Sequence, residues 1–319
     1  MNRLLIGIDM GGTNVKIGCF GPRLKLLCKT SVPVRQDISP AEYVETVKQA
    51  TQQMLAGNGS NPDDIEAVGI GAPGPSDIAA GVVLTAPNLP KFRNVPLRQM
   101  FSDSFARPAA FENDANAACW GEYIAGAGKG IKDMVFFTLG TGIGGGVISN
   151  GKLVHGFGDN AAELGHIIVY PDGRLCSCGQ KGCAEAYASA NATAARAAEA
   201  VSAGTPSGLK KILEQNGRIT CKDVFEQALA GDELAKDTTE TTAKTLGLLC
   251  VNMFHATGPE RIIFSGGMTA AGEQLLGRIR HFFKQYIWPL KPETLQIVFA
   301  SLGDDAGITG AAAIAKSSV

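Results

Sequence analysis

Apolar and polar positions along the chain fall into two periods, one near two residues and one near 3.6. The first patterned stretch, residues 4–9, reads Leu4-Leu5-Ile6-Gly7-Ile8-Asp9. A short apolar run bounded by turn residues predicts a buried strand. It ends in Met10-Gly11-Gly12-Thr13, and the apolar pattern resumes over residues 15–20, so a hairpin is predicted. Ser39-Pro40-Ala41-Glu42 then sets out a helix start. Ser caps, Pro occupies the first helical position, and Glu lies three residues after the cap. Val44, Val47, Thr51, Met54 and Leu55 follow on one helical face, and Gly57-Asn58-Gly59 stops it. Residues 65–70 predict a strand that runs into the rigid loop Gly71-Ala72-Pro73-Gly74-Pro75. Residues 109–111 predict a short strand, and the Ala-rich 115–125 a helix ended by the glycines of 126–130.

The opening pattern then recurs. Residues 134–139 are an apolar strand that ends in Gly140-Thr141-Gly142-Ile143-Gly144-Gly145-Gly146, with another strand at 147–149 and an Asn150-Gly151 turn. Helices are predicted at 186–203, 222–230, 236–257, 275–286 and 306–316, and strands at 261–265, ending in Gly266-Gly267, and at 295–300. Strands that alternate with helices favour α/β layers. Two copies of strand, Gly- and Thr-bearing turn, strand predict a duplicated α/β unit with a cleft between the copies.

The 319 residues favour two domains, and a net charge of −1 gives no electrostatic footprint for nucleic acid or an anionic membrane. A small-molecule substrate is therefore expected. The apolar run at the N-terminus is too short for a signal peptide, and nothing approaches the ~20 apolar residues of a membrane span. Of eight cysteines, Cys19, Cys28, Cys119, Cys221 and Cys250 are scattered among apolar or helical neighbours. They read as reduced thiols of a cytoplasmic protein.

The two Gly-rich turns suit phosphate, which needs several N–H donors converging at short range on a backbone that can approach closely. Thr13 and Thr141 can add hydroxyl donors. Asp9, at the end of the first strand, can hold Mg²⁺ through its waters. Gly140-x-Gly142-x-x-Gly145 and Gly69-x-Gly71-x-x-Gly74 both fit the dinucleotide fingerprint, but the first runs into a strand and the second contains Pro73 with no acid at the needed offset. In Glu112-Asn113-Asp114-Ala115-Asn116, Asp114 is predicted at a helix N-terminus, where the dipole favours its ionised form. Such a carboxylate can accept the proton of a hydroxyl that attacks a γ-phosphate, and Asn113 can bond the neighbouring hydroxyl.

The remaining cysteines form a cluster: Glu163-Leu164-Gly165-His166 precedes Cys176-x-Cys178-Gly-x-x-Gly-Cys183-x-Glu185. Three thiols and one imidazole make a closed tetrahedral zinc shell, with no position left for a reacting water, so a structural Zn²⁺ held by His166, Cys176, Cys178 and Cys183 is predicted. Gly173, Gly179 and Gly182 permit a tight knuckle. Glu163 and Glu185 flank the ligands and are suited to vicinal hydroxyls, and the second imidazole nitrogen of His166 can face a sugar oxygen.

Taken together, these residues make the chain resemble the ROK family (repressors, open reading frames, kinases), and within it the bacterial glucokinases. The resemblance runs from Asp9-x-Gly-Gly-Thr13 to the last helix, and the Glu-Leu-Gly-His plus Cys-x-Cys-Gly-x-x-Gly-Cys-x-Glu signature is its most specific part. It implies an actin-like, ribonuclease H-like α/β fold of two domains with a sugar cleft between them. The boundaries expected are a small domain of residues 1–115 plus 303–319 and a large one of 116–302 that carries the knuckle. The implied reaction is ATP- and Mg²⁺-dependent phosphorylation of glucose at O6. Asp114 resembles the catalytic base. Asn88, Asn113, Glu163, His166 and Glu185 resemble sugar contacts. Gly11, Gly12, Thr13, Gly140, Thr141 and Gly142 resemble phosphate contacts, with adenosine expected at Gly266 and Gly267. A homodimer or homotetramer is expected. Kinases of N-acetylmannosamine, N-acetylglucosamine, fructose, mannose or allose are alternatives. Sugar-responsive repressors of the family resemble this chain only after an added N-terminal helix-turn-helix module, for which the phosphate motif at Asp9 leaves no room, so a kinase without nucleic-acid or membrane partners is expected.

Overall fold

The computed structural model describes residues 3–11, 13–86, 88–288 and 294–319. The chain divides into two compact units: Met1–Gly130 with Leu153–Ala161 and Ser301–Val319, and Ile131–Lys152 with Ala162–Ala300.

In the first unit, β1 (Leu4–Met10) and β2 (Asn14–Phe20) form the predicted hairpin, and β3 (Leu26–Pro33) extends it. β3 alternates half-buried and exposed residues, the mark of an edge strand. Helix α1 (Pro40–Gly57) starts on the capping box read from the sequence, with the Glu42 carboxylate accepting the Ser39 N–H at 3.0 Å. β4 (Ile65–Ala72) lies parallel to β1. A small sheet of β5 (Ser76–Asp77), β6 (Val82–Thr85) and β7 (Arg93–Val95) follows, then α2 (Leu97–Phe105), β8 (Ala109–Asn113) and α3 (Asp114–Ala125). The main sheet has the order β3-β2-β1-β4-β8.

The two faces of this sheet bury different surfaces. Leu4, Ile6, Ile8 and Met10 of β1 share one core with Tyr43, Val44 and Val47 of α1. The alternate residues Leu5, Gly7 and Asp9 point to the other face, where Leu5 packs with Ile308, Ala312 and Ala315 of the closing helix, Ala306–Lys316. That helix sits almost backbone to backbone on its neighbours. A Cβ on Gly7 would meet the carbonyl of Ile308, one on Gly69 that of Ala311, and one on Gly310 the carbonyl of Ala117 in α3. Because α3 packs on this helix, the first unit runs to Gly130, past the boundary expected at residue 115. The fully buried Glu122 of α3 joins the end of this segment to the start of Ser301–Val319. Its carboxylate accepts the N–H groups of Ala127 (2.7 Å), Ser301 (3.1 Å) and Leu302 (2.7 Å).

The second unit repeats the sheet. β9 (Met134–Leu139) and β10 (Ile143–Ser149) form an antiparallel hairpin with β11 (Lys152–Leu153) at the edge. β12 (Arg261–Ser265) and β13 (Gln296–Phe299) add in parallel, which gives the order β11-β10-β9-β12-β13. In both units an antiparallel three-strand edge is followed by two parallel strands, the duplication expected from the sequence. The predicted helix over 186–203 is two, α4 (Glu185–Ala188) and α5 (Ala190–Ser202). Ser189 between them takes extended backbone and caps the second, its hydroxyl accepting the Ala192 N–H at 3.1 Å. α6 (Leu209–Asn216), α7 (Cys221–Leu229), α8 (Glu233–Thr257) and α9 (Glu273–Tyr286) complete the unit, and the closing helix of the first unit is α10. No helix among the described residues is long and apolar enough to cross a membrane.

The close packing of α10 makes Gly69 and Gly57 opposite cases. A methyl at Gly69 falls on helix backbone, whereas Gly57 at the end of α1 has open space around it. Gly69→Ala is expected to cost about 1–3 kcal/mol in urea unfolding, the usual range for overpacking. Gly57→Ala is expected to be neutral or to stabilise by up to ~1 kcal/mol. Wild-type stability in Gly69→Ala would refute the packing described.

Candidate functional site

The residues singled out in the sequence fall into two clusters, one in each unit. In the first, the row Asp9, Gly71, Glu112 crosses β1, β4 and β8 in register. Gly71 offers no side chain in the middle of this row, and a Cβ there would meet Ala117 at 3.0 Å and the Cα of Asp114 at 3.6 Å. Asp9 and Asp114 thereby come close enough to couple. Burial and the Asp114 charge push the Asp9 carboxyl up to about 6, against a smaller opposing effect of Lys16. Asp9 also packs against Gly307 in the first turn of α10.

Asp114 is the first residue of α3, as predicted, and its Oδ1 accepts the Ala115 N–H at 2.8 Å. Asn113 is the helix cap: its Oδ1 accepts the N–H groups of Ala115 (2.9 Å) and Asn116 (3.1 Å). Its amide nitrogen lies beside Gly74 and is the part of the side chain left to donate. Gly11 and Thr13 lie in the β1–β2 turn, where Thr13 is exposed. Gly12 lies outside the described residues. Asn88 is exposed in the turn between β6 and β7.

In the second unit, the Gly140 N–H donates to the Gly142 carbonyl at 3.0 Å, and the Gly140 carbonyl accepts the Ala190 N–H at the start of α5 at 2.9 Å. Thr141 is exposed, and the space at Gly140 is open. Gly266, with φ of 92°, lies against the backbone of Leu139, so Gly266-Gly267 adjoins this turn. No helix opens at the turn, in keeping with the rejection of a dinucleotide fingerprint. The later glycines serve packing: a Cβ on Gly145 would meet Leu164, and one on Gly165 would meet Ile143. Leu164 is buried, so Glu163-Leu164-Gly165-His166 is pinned on β10 with Glu163 exposed and His166 half-buried.

The Cys/His residues of the predicted knuckle come together. Gly179 and Gly182 take φ of 90° and 83°, conformations that a side chain would strain. Ligand atoms of His166, Cys176, Cys178 and Cys183 all lie within 4.8 Å of one another. The Cys178 and Cys183 sulfurs are 3.7 Å apart, and Nδ1 of His166 is 3.7 Å from the Cys176 sulfur. A tetrahedral shell with Zn–S near 2.3 Å and Zn–N near 2.0 Å has S···S edges of about 3.8 Å and N···S edges of about 3.5 Å. The group is thus compatible with a structural metal. Nδ1 faces the sulfurs, which leaves Nε2 for another partner.

Glu185 has a role that its sequence position did not disclose. Its Oε2 accepts the Ile143 N–H at 2.8 Å, and its Oε1 accepts the Ser177 hydroxyl at 3.2 Å and the Cys176 thiol at 3.7 Å. It ties the knuckle to the Gly140–Gly142 turn, and Gly142 lacks a Cβ where that carboxylate lies. Ser177 and the pair Glu112–His155 escaped the sequence reading. Nε2 of His155 is 2.7 Å from Oε2 of the buried Glu112. No spacing joins residues 43 positions apart; the buried acid beside Asn113-Asp114 was the one available clue.

A family model for the ROK family matches residues 5–318. The chain is 35% identical over 316 residues to a glucokinase of Halalkalibacterium halodurans, which covers 99% of this chain and 96% of that one. It is 30% identical over 313 residues to an N-acetylmannosamine kinase of Citrobacter koseri, which covers 98% of each. Among solved structures, a ROK family glucokinase from Streptomyces griseus in complex with glucose and AMPPNP is 37% identical, with a TM-score of 0.81 over 98% of this chain and 99% of that one.

The Glu112–His155 contact gives stability a definite pH dependence. The hydrogen bond to Glu112 raises the His155 pKa above its ordinary 6.5 against the effect of burial, and the charges of Glu112 and Asp159 add to the rise. A folded-state pKa above the unfolded one means stability fully present below about 6.5 and lost as pH rises through the raised value. In urea unfolding from pH 6 to 9, the advantage of wild type over His155→Gln is expected to shrink as pH rises. An advantage that grows with pH would contradict the pairing.

Proposed function

The chain belongs to the ROK family, and on that footing we propose that it transfers the γ-phosphoryl group of ATP to O6 of glucose, with Asp114 as general base. The observation that carries this reading is the end-to-end likeness, at 37% identity, to an enzyme solved with glucose and AMPPNP. The site geometry supports it, with Asn113-Asp114 at a helix start and Glu163, His166 and Glu185 around one knuckle.

In this reading the O6 hydroxyl donates its proton to Asp114 as O6 attacks the γ-phosphorus. The bond from phosphorus to the β–γ bridging oxygen breaks, and ADP leaves with the electron pair. The transition state is loose, so the base chiefly orients the hydroxyl. Asn113 donates its amide N–H to the neighbouring ring oxygen, and Asn88 adds a contact. Glu163 and the remaining acceptor capacity of Glu185 take sugar hydroxyl protons, while Nε2–H of His166 donates to a sugar oxygen. Gly11, Gly12, Thr13, Thr141 and Gly142 offer phosphate donors, with Gly140 giving open space and Gly266-Gly267 a floor for adenosine.

Asp9 is the residue suited to hold Mg²⁺ through its waters, since a carboxyl raised to about 6 beside a second carboxylate gains from a cation. When bound, the ion would neutralise charge on the phosphate oxygens. We assign Zn²⁺ to His166, Cys176, Cys178 and Cys183, where it would have a purely structural role.

A second reading, phosphorylation of an N-acetylated hexosamine, is favoured by the full-length likeness to an N-acetylmannosamine kinase. A coupled ADP-release assay across glucose, mannose, fructose, allose, N-acetylmannosamine and N-acetylglucosamine decides between them. Glucose is expected to give the highest kcat/KM; a preference for an acetamido sugar would select the second reading.

Asp114→Asn is expected to lower kcat by ~10²–10⁴, the usual worth of a positioned base, with sugar affinity by calorimetry retained. Near-normal turnover would remove Asp114 from the mechanism. Metal analysis of the purified protein is expected to give one zinc per chain. His166→Ala is expected to lose both zinc and sugar affinity. Normal sugar binding by a zinc-free His166→Ala protein would refute the shared role of that imidazole.

A further inference from the structure

We propose that Glu112 and His155 are positioning residues for Asp114, holding the joint between β8 and α3 so that the base carboxylate points at the acceptor hydroxyl. The inference rests on the reading of Asp114 as the base.

Glu112 is 3% exposed and its carboxylate has three donors. Oε1 accepts the Asn113 N–H at 2.9 Å and the Asn116 side-chain amide at 3.1 Å. Oε2 meets Nε2 of His155 at 2.7 Å. Two of these donors bracket Asp114 in the chain, one on the residue before it and one two residues after. One buried carboxylate therefore grips the end of the strand and the first turn of the helix at once. The direction in which Asp114 leaves the backbone is set by that grip.

His155 arrives from elsewhere. It lies in Leu153–Ala161, a segment that belongs to the first unit while the chain on either side belongs to the second. The segment has a second tether, the Asp159 carboxylate accepting the Ile78 N–H at 3.0 Å. Anchored in this way, His155 brings Glu112 the donor and positive charge that a buried carboxylate requires. Take the imidazole away, and Oε2 is left buried without its donor. A carboxylate that turns to find another donor for Oε2 also moves Oε1, and with it the hold on Asn113 and Asn116. Both residues act through the backbone joint that carries Asp114, which is what the double variant below tests.

The test compares kcat, KM for glucose and thermal midpoint for His155→Leu, His155→Gln, Glu112→Gln, Asp114→Asn and the double variant Asp114→Asn/His155→Leu. His155→Leu and Glu112→Gln are expected to lower kcat about tenfold or more with KM within about threefold, as suits a lost hydrogen bond to a charged group. His155→Gln, which restores an N–H near the same place, is expected to return kcat to within about threefold of wild type. In the Asp114→Asn background, His155→Leu is expected to add no further loss, because coupled residues are not additive. Wild-type kcat in His155→Leu overturns the inference. So does an equal loss in His155→Gln, or a full additional loss on top of Asp114→Asn. Should His155→Leu fail to fold, His155→Asn takes its place, since its donor is too short to reach Glu112. Near-wild-type turnover in Asp114→Asn would instead overturn the base assignment itself, a separate result from the other arms.

Discussion

Helix α10 can lie this close to β1 and β4 because each strand has a glycine, Gly7 and Gly69, where the helix backbone passes nearest. Gly7 meets Ile308, Gly69 meets Ala311, and Gly310 meets Ala117 on the flank of α3. Contacts of this closeness leave no room for rotamers to adjust, so sheet, α10 and α3 behave as one body. Asp9 continues the row of Leu5 and Gly7 and thus ends beside Gly307, at the N-terminus of that same helix. Asp114 opens α3, the other helix in the contact. The backbone positions from which the two carboxylates project are therefore set by close backbone packing.

That placement concentrates negative charge, and each carboxylate is handled differently. Glu122 is buried outright and satisfied by backbone N–H groups of Ala127, shortly before the first segment of the unit ends, and of Ser301 and Leu302, where its last segment begins. Glu112 is buried and shared among a backbone N–H, an amide and an imidazole. Among the described residues Asp9 has neither arrangement, and its carboxyl rises to about 6 under burial and the charge of Asp114. Fully satisfied acids serve as fasteners; the acid left under electrostatic pressure is the one suited to receive a cation.

The parts of this design that were legible in the sequence are local. The two hairpins, the Ser39 capping box, Asp114 at a helix start and the Cys/His knuckle each rest on residues within about twenty positions of one another. β3 was missed because its run Leu26-Leu27-Cys28-Lys29-Thr30 shows no clean apolar/polar alternation, although Gly21-Pro22 ahead of it marks a turn. α2 lacks a side-chain cap, its cap position being Pro96, and α6 starts after Gly208 with none either. The break at Ser189 was hidden by alanines on both sides that suit one long helix. Gly142 was read for phosphate, yet a Cβ there would meet Glu185, just as one on Gly145 would meet Leu164 and one on Gly165 would meet Ile143. Absence of a side chain leaves no trace of what fills the space, so a glycine's partner is a tertiary fact. The same holds for Glu112 and His155, whose pairing depends on a segment returning to its unit.

The duplicated sheets show how one topology can be loaded for different chemistry. In the first unit, the turn after β1 is backed by Asp9, and the parallel strand at the far edge delivers Glu112, Asn113 and Asp114. In the second, the equivalent turn after β9 has a carboxylate brought to it from outside the sheet, Glu185, which bonds the backbone of Ile143. Glu185 is in turn held by Ser177 and Cys176 of the knuckle. The knuckle therefore does more than present His166. Ser177 stands between two of the residues that would hold the metal, so an ion that fixes Cys176 and Cys178 would steady Ser177 and, through its hydroxyl, Glu185, which bonds the backbone of Ile143 next to Thr141 and Gly142. In the proposed reading, one closed shell would thereby steady both the residues assigned to the sugar and the turn assigned to phosphate, a use of a metal that needs no open coordination position.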